Sequence, residues 1–209
     1  MIILLVDDHQ MVRYGLKQIL KEAYPTAEFR EASNANDLFQ ELADGACNLV
    51  LLDLSLPGRS GLDALAEIKQ KAPRLPVLAV SGQPEEEYAA RCLKAGASGY
   101  LNKSSTPESL VGAVKKILAG GRYISSEFAE TMAMQLSSPR CRATHEELSD
   151  REFEVFLMLV RGLALKEIGK ELKISGKTVS TYRNRILGKM QMKSNSDLVR
   201  YAIQNQIIG

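Results

Sequence analysis

Residues 2–8 have the sequence IILLVDD, in which five consecutive apolar residues are followed at once by two aspartates. A short run of this kind, without polar alternation, is typical of a strand buried on both faces of a parallel sheet. Three further runs, 49–52 (LVLL), 77–80 (VLAV) and 99–101 (GYL), have the same form. The polar side chains to which the four runs lead are Asp7 with Asp8, Asp53, Ser81 and Lys103.

These polar residues are expected to form one site. The carboxyl ends of parallel strands open into a shared crevice, so side chains distant in sequence meet there. Three carboxylates packed together repel one another unless a cation joins them, and a hard, oxygen-seeking ion such as Mg²⁺ (or Mn²⁺) suits them. A single Asp after a strand is equally well explained as a turn or capping residue. The matching residues at the other strand ends favour a site.

The composition is that of an ordinary globular protein. The chain has 209 residues, 45% hydrophobic and 25% charged, which leaves room for one domain and a small second one. No apolar run approaches the roughly 18 residues of a membrane span, and the N-terminus lacks a basic region and a cleavage site, so a cytoplasmic protein without membrane attachment is expected. Three cysteines, Cys47, Cys92 and Cys141, show neither disulfide nor zinc spacing.

The charge is unevenly distributed between the two parts of the chain. Residues 1–139 contain 14 Lys and Arg against 17 Asp and Glu, a net −3, whereas residues 140–209 contain 13 against 8, a net +5. A basic C-terminal part is consistent with a nucleic-acid-binding domain, although an ordinary solvated surface explains the same excess.

The periodicity predicts two domains joined by a linker. Strand-like and helix-like segments alternate as five β-α units over residues 1–120, with 28–32 the weakest strand candidate. Residues 121–146 form the expected linker, with a helix at 125–136. Residues 147–209 have helical patterns throughout, and Ser149 with Glu152 forms a capping box at the start of the first helix.

Residues 1 to about 120 resemble the receiver domain of two-component response regulators. The resemblance implies a flavodoxin-like, doubly wound, five-stranded parallel sheet in which Asp53 accepts a phosphoryl group from a sensor histidine kinase. It also implies that Mg²⁺ binds to Asp8 and Asp53 directly, to the backbone carbonyl of Ser55, and to Asp7 through a water molecule. Lys103 would supply a second positive charge at the phosphoryl group.

The same resemblance implies a readout of phosphorylation. Ser81 would move toward the phosphoryl oxygens, and Tyr100 would turn inward when that hydroxyl moves. Plain packing of Tyr100 and a turn role for Ser81 remain open alternatives. One departure is Ser104, which stands where many receivers have a proline after the lysine, so a cis peptide is not expected there.

Residues 148–209 resemble the helix-turn-helix domain of LuxR/NarL-type regulators, a small all-α domain with its motif at about 166–188. The matching segments are 148–152 (LSDRE), Gly162, 166–168 (KEI), Leu172, 174–175 (IS), 177–179 (KTV) and 189–190 (KM). In such a motif the second helix enters the major groove of double-stranded DNA. Two residues depart from the usual pattern of this domain. Gly169 suggests a close approach of two helices, and Tyr182 either contacts a phosphate or packs.

The candidate DNA-binding residues lie mostly on one side of this second helix. We expect Ser180, Thr181 and Asn184 to meet base edges, with Val179, Ile186 and Met190 in the core. The remaining candidates are Lys177, Thr178, Tyr182, Arg183, Arg185 and Lys189, of which the four cations are expected on phosphates. Any one of these cations is also explained by a solvated face.

The leading hypothesis is a phosphorylation-dependent, DNA-binding transcription regulator that dimerises when phosphorylated. RNA polymerase is a further expected partner. The apolar residues Leu198, Val199, Ala202 and Ile203 form either a dimer face or part of the domain's own core. We expect Mg²⁺-dependent self-phosphorylation with slow dephosphorylation rather than turnover. A phosphatase of the haloacid-dehalogenase type would need a second carboxylate at position 55, and a receiver that acts without phosphorylation is the third hypothesis.

Overall fold

The computed structural model describes residues 1–136, 144–205 and 207–208, and it divides into two units, residues 1–136 and 137–209. The linker predicted at 121–146 and the cysteine Cys141 fall partly or wholly on residues 137–143, outside the described residues. Among the described residues, no helix is both long and apolar enough to cross a membrane.

The first unit is a five-stranded, all-parallel sheet with the strand order β2-β1-β3-β4-β5, and this confirms the predicted doubly wound fold. The strands are β1 (Ile2–Val6), β2 (Glu28–Ala32), β3 (Leu49–Asp53), β4 (Val77–Ser81) and β5 (Gly99–Asn102). The helices are α1 (Gln10–Ala23), α2 (Ala35–Ala43), α3 (Gly61–Lys71), α4 (Glu85–Lys94), α5 (Pro107–Leu118) and α6 (Ser126–Leu136).

The apolar runs form the buried centre of the sheet. Every residue of β3 and β4 is buried, as are four of the five in β1, which explains why these strands have no polar alternation. The edge strand β2 is mostly accessible, in keeping with its weak sequence pattern. At the other edge, the backbone around Tyr123 bonds to β5, with Tyr100 N donating to Tyr123 O at 3.1 Å.

Gly61 fixes the approach of α3 to the end of β3. A Cβ atom at this position would lie 2.4 Å from both the carbonyl oxygen of Asp53 and the Cα of Leu54. Only a residue without a side chain lets the first turn of α3 pack this closely against the strand end. The absence of a side chain at position 61 therefore contributes directly to the placement of Asp53.

The second unit is helical, as predicted. A 3₁₀ turn (Thr144–Glu147) precedes α7 (Asp150–Val160), α8 (Leu165–Glu171), α9 (Gly176–Lys189) and α10 (Asn195–Gln204). The predicted capping box of Ser149 and Glu152 is present at the start of α7, and Ser175 caps α9. Gly169 is closely approached by the turn between α8 and α9, not by a second helix as predicted: a Cβ there would lie 2.8 Å from the carbonyl oxygen of Ile174.

Candidate functional site: the acidic crevice and the second helix of the motif

The strand ends bring the predicted acidic residues together. Asp7 and Asp53 are both 1% exposed, and with Asp8 and His9 they offer ligand atoms that all lie within 4.8 Å of one another. Oxygen donors in this number suit a hard divalent cation. The donor set therefore fits Mg²⁺, with the carboxylates of Asp7, Asp8 and Asp53 as the residues that would hold it.

Lys103 lies between two of these carboxylates. Its Nζ is 2.6 Å from Oδ2 of Asp7 and 2.9 Å from Oδ2 of Asp53. Burial by itself would lower the pKa of Lys103, but the carboxylates of Asp53 and Asp7 outweigh this effect and raise it. The ammonium is therefore held in its charged form, facing the carboxylate of Asp53.

Asp53 is buried strongly enough to change its acidity. Burial raises the pKa of its carboxyl above the ordinary value, Lys103 opposes that rise, and Asp7 adds to it. Its other oxygen, Oδ1, accepts a hydrogen bond of 3.1 Å from the backbone N–H of Ser55. This N–H is the contact that the structure gives for Ser55, which was predicted to contribute its carbonyl to a metal.

His9 contacts Asp7 and Asp8, the acid pair that follows β1. Its Nδ1 lies 2.8 Å from Oδ1 of Asp8 and 3.3 Å from Oδ1 of Asp7, although two thirds of the side chain is exposed. The backbone N–H of His9 also donates to Asp7 Oδ1 at 2.8 Å. Because His9 precedes α1 directly, the start of that helix is tied to the acid pair.

The predicted readout residues both bond to the backbone of Gln83, Ser81 at its N–H and Tyr100 at its carbonyl. Ser81 and Tyr100 are both fully buried, and the Tyr100 hydroxyl donates to the carbonyl oxygen of Gln83 at 2.7 Å. The N–H of Gln83 donates to Ser81 Oγ at 3.1 Å. Tyr100 was predicted to turn inward upon phosphorylation, whereas its ring already lies inside here. Burial raises the pKa of its phenol well above the ordinary value.

Three residues of this site were not singled out from the sequence. Asn102 donates through Nδ2 to the same Gln83 carbonyl at 2.9 Å, and its Oδ1 accepts from Ser104 N at 2.9 Å and from Ser104 Oγ at 2.7 Å. The signal that was available for Asn102 is its polar side chain directly before Lys103. The roles of Gln83 and Gly61 depend on backbone positions that residue types do not encode.

In the second unit, α9 and the residue after it separate the predicted core residues from most of the candidate DNA-binding residues. Val179, Ile186 and Met190 are buried, while Thr181 and Asn184 are exposed and Ser180 is half-buried. The remaining exposed candidates are Lys177, Thr178, Arg185 and Lys189, and the half-buried ones are Tyr182 and Arg183.

Two cations predicted on phosphates have partners inside the unit. Lys189 Nζ lies 2.6 Å from Oε2 of Glu152, a residue of α7 that is 4% exposed. Arg183 Nε donates to Oδ1 of Asn195 at 2.7 Å. Both contacts favour a packing role for these side chains, since a phosphate contact by the same group would compete with them.

The four apolar residues of α10 were predicted to form either a dimer face or part of the domain core, and the structure divides them between a buried and an accessible pair. Leu198 and Ala202 are fully buried within their own unit, whereas Ile203 is 58% exposed and Val199 is half-buried. The buried pair belongs to the domain core. Only Val199 and Ile203 remain available for another surface.

Comparison with known proteins follows the same division. The family described as "Response regulator receiver domain" matches residues 3–115, and "Bacterial regulatory proteins, luxR family" matches residues 146–202. "Response regulator UvrY" of Escherichia coli (strain K12) is 33% identical over 204 residues, covering 97% of this chain and 94% of the relative. "Transcriptional activator protein ExaE" of Pseudomonas putida is 38% identical over 204 residues, with 97% and 95% covered.

A solved structure shares the fold at lower identity. RcsB from Salmonella enterica serovar Typhimurium, bound to the promoter rprA in the presence of phosphomimetic BeF3−, is 22% identical with a TM-score of 0.64, covering 96% of this chain and 98% of that one. This similarity concerns the fold alone.

Proposed function

This chain belongs to the response regulators that combine a receiver domain with a LuxR-type DNA-binding domain, and we propose that Asp53 is its phosphoryl acceptor. The family is that of transcription regulators controlled by phosphorylation. The observation that carries the assignment of Asp53 is its placement: a carboxylate that is 1% exposed, at a strand end, 2.9 Å from a lysine ammonium.

Asp53 acts as the nucleophile in this proposal. An oxygen of its carboxylate forms a bond to phosphorus while the bond from phosphorus to the donor breaks, and the donor leaves with the electron pair. The carboxylate must be ionised to attack, yet burial favours its neutral form. Lys103 offsets part of that effect and stays charged beside the incoming group.

Mg²⁺ is the proposed cofactor, with Mn²⁺ as a substitute, held by Asp7, Asp8 and Asp53 together with the backbone carbonyl of Ser55. When bound, the ion would neutralise charge on the phosphoryl oxygens, which is a principal need of phosphoryl transfer. The acid pair itself has a separate task. Asp7 orients both His9 and Lys103 through its two oxygens.

The readout begins at Ser81. A phosphoryl group on Asp53 adds acceptor oxygens, and the Ser81 hydroxyl would reorient toward one of them. Gln83 is attached to Ser81 by its N–H and to Tyr100 by its carbonyl, so such a movement changes the support of the buried tyrosine. In this way a charge added at Asp53 becomes a packing change at the start of α4.

The DNA-binding surface is proposed on the exposed side of α9. Ser180, Thr181 and Asn184 would meet base edges, while Lys177 and Arg185 would bind phosphates. Thr178 and Tyr182 are further candidates. We place Lys189 and Arg183 with the packing contacts, because their charged groups already pair with Glu152 and Asn195.

The proposed partners are a sensor histidine kinase as phosphoryl donor, double-stranded DNA, and a second copy of the phosphorylated chain. RNA polymerase and a cytoplasmic location complete the proposal. One support for DNA as a partner is the basic C-terminal part, with a net charge of +5 over residues 140–209. Val199 and Ile203 are the α10 residues that a dimer contact would use.

We further propose that the chain accepts phosphoryl groups once and loses them slowly rather than turning over a substrate. A phosphatase with an aspartyl nucleophile needs a second acid-base group close to it. Position 55, where such an enzyme would carry a carboxylate, is a serine in this chain. A receiver that acts without phosphorylation is disfavoured, because the chain has all the residues that phosphoryl acceptance needs, namely Asp7, Asp8, Asp53, Ser81 and Lys103.

Intact-mass measurement separates these functions. The wild-type protein and Asp53→Asn are incubated with Mg²⁺ and acetyl phosphate. The proposal predicts a single phosphoryl adduct on the wild type, long-lived after removal of the donor, and none on the variant. Failure of the wild type to form an adduct, or formation of the same adduct by Asp53→Asn, contradicts it. Rapid consumption of acetyl phosphate without an adduct favours the phosphatase.

A further inference from the structure

The loop after β5 is stabilised by a side chain that has both halves of its amide engaged. Asn102 Oδ1 accepts from the N–H of Ser104 and from its hydroxyl, while Nδ2 donates to the Gln83 carbonyl. The orientation of the amide follows from its neighbours, because an N–H of Ser104 needs an acceptor and a carbonyl of Gln83 needs a donor. Asn102 therefore joins the β5-α5 loop to the β4-α4 loop.

Lys103 lies in the chain between Asn102 and Ser104. Its backbone N–H donates to the carbonyl oxygen of Ser81 at 2.8 Å, and Ser105 N donates to Asn102 O at 2.9 Å, which closes a turn around Lys103 and Ser104. The peptide groups on both sides of Lys103 are thus fixed. The start of its side chain is held even though four flexible methylenes separate it from the ammonium.

The position of that ammonium is what phosphoryl transfer requires. It lies 2.6 Å from one carboxylate and 2.9 Å from the other, so a small rotation of the turn would move it away from Asp53. A turn without proline must obtain its rigidity from hydrogen bonds. Ser104 supplies two donors for this purpose, and Asn102 is the acceptor for both.

We propose that Asn102 is a positioning residue for phosphoryl transfer, which acts through Lys103 by locking the turn that carries it. Asn102 does not touch the reacting atoms in this account. The inference rests on the proposed role of Asp53 as phosphoryl acceptor and of Lys103 as its cationic partner. It adds Asn102 to the residues on which phosphoryl transfer to Asp53 depends.

The test compares rates of Asp53 phosphorylation by acetyl phosphate in the full chain, followed by intact mass at saturating Mg²⁺ and donor. Asn102→Leu removes the donor and the acceptor at similar volume. A misplacement on the order of 1 Å costs up to about 100-fold in such reactions, so a slowing of at least about 10-fold is expected. Asn36→Leu is the matched control. Asn36 is exposed on α2, so Asp53 of this variant should be phosphorylated at the wild-type rate.

A double variant distinguishes positioning from a general loss of structure. If Asn102 acts through Lys103, then Asn102→Leu combined with Lys103→Met is no slower than Lys103→Met alone. The affinity for Mg²⁺, measured by calorimetry, should stay within about twofold of wild type in Asn102→Leu, because none of the proposed ligands is altered. Asn102→Ala provides a second variant, judged by the same criteria, should Asn102→Leu fold poorly.

Each outcome decides the inference. A slowing of less than about 10-fold relative to wild type overturns it, and so does a double variant whose slowing is the product of the two single effects. A loss of Mg²⁺ affinity of more than about twofold in Asn102→Leu also overturns it. Absence of an adduct on the wild type contradicts the proposed acceptor function instead, and the two failures are thereby distinguishable.

Discussion

Replacing Lys103 with methionine removes the cation that lies between Asp7 and Asp53. Both carboxylates are 1% exposed, and the lysine side chain is itself only 22% exposed, so water cannot easily take over its role. Removing one partner of a buried ion pair typically costs about 3–5 kcal/mol, since a buried charge is left uncompensated. We expect the lower end, about 3 kcal/mol, because Asp53 can take up a proton in response.

Hydrogen exchange followed by mass spectrometry measures this loss within the receiver alone. Exchange of core-strand amides reports the opening free energy of the unit, and about 3 kcal/mol corresponds to roughly a hundredfold faster exchange in β1 and β3. Peptides from α9 serve as an internal reference and should not change. Lys115→Met, at an exposed position on α5, is the matched control.

The loss also depends on pH and on Mg²⁺. In Lys103→Met the folded-state pKa of Asp53 lies further above its unfolded value than it does in the wild type. The folded variant therefore binds a proton at Asp53 more tightly, and its loss of stability relative to the wild type becomes smaller as pH falls through that pKa. Mg²⁺ should reduce the deficit by supplying the missing positive charge. Equal exchange rates of Lys103→Met and Lys115→Met in β1 and β3, measured without Mg²⁺, would refute the role of Lys103 in compensating the two buried carboxylates.

The remaining predictions concern packing and DNA. Gly61→Ala should destabilise the receiver by about 1–3 kcal/mol in thermal unfolding and slow phosphorylation, because the new Cβ would overlap the carbonyl of Asp53. Lys189→Met should lower the stability of the C-terminal domain by about 1 kcal/mol, discounted for a lysine that is 43% exposed, as measured by exchange in α7. Burial would raise the pKa of Glu152, but the hydrogen bond from Lys189 outweighs this effect and lowers that pKa below 4.5. The stabilisation from the Lys189–Glu152 pair is therefore present at neutral pH and is lost as pH falls through the lowered pKa of Glu152. Asn184→Ala should cost about 1–3 kcal/mol in binding of a preferred duplex, with little change for random DNA in a fluorescence titration.

Each of these has a control that separates the stated cause from a general effect. Gly112→Ala on α5 meets no atom within 4 Å and should be neutral or slightly stabilising. Lys170→Met changes an exposed lysine of the same domain and should leave α7 exchange unaltered. Arg185→Ala should weaken preferred and random DNA equally and reduce the salt slope by about 1. Equal results for a variant and its control would contradict the corresponding account.

The strand ends of the receiver were predictable because a buried parallel strand has no polar residue until it leaves the sheet. Asp53 and Lys103 could therefore be assigned to one crevice from four apolar runs alone. Helix caps were predictable for a similar reason, since Ser149 and Glu152 satisfy backbone donors within one turn of chain. Gly169 was also interpretable, because an unfavourable helix residue indicates a close contact.

Contacts set by tertiary packing were not predictable in the same way. Lys189 and Glu152 are 37 positions apart, and nothing in either segment indicates that the lysine meets α7 rather than DNA. The inward position of Tyr100 depends on the carbonyl of Gln83, and every residue type has a carbonyl. The same backbone atom explains why Asn102 was overlooked.

Affinity for DNA as a function of phosphorylation tests the central claim most directly. A duplex enriched from a random pool by the acetyl phosphate-treated wild type is titrated with wild type and Asp53→Asn, each with and without Mg²⁺ and acetyl phosphate. We predict that the affinity of the wild type rises at least about 10-fold when intact mass shows the adduct, whereas that of Asp53→Asn does not change. An unchanged wild-type affinity at full phosphorylation, or an equal rise in Asp53→Asn, would contradict the claim that Asp53 controls DNA binding.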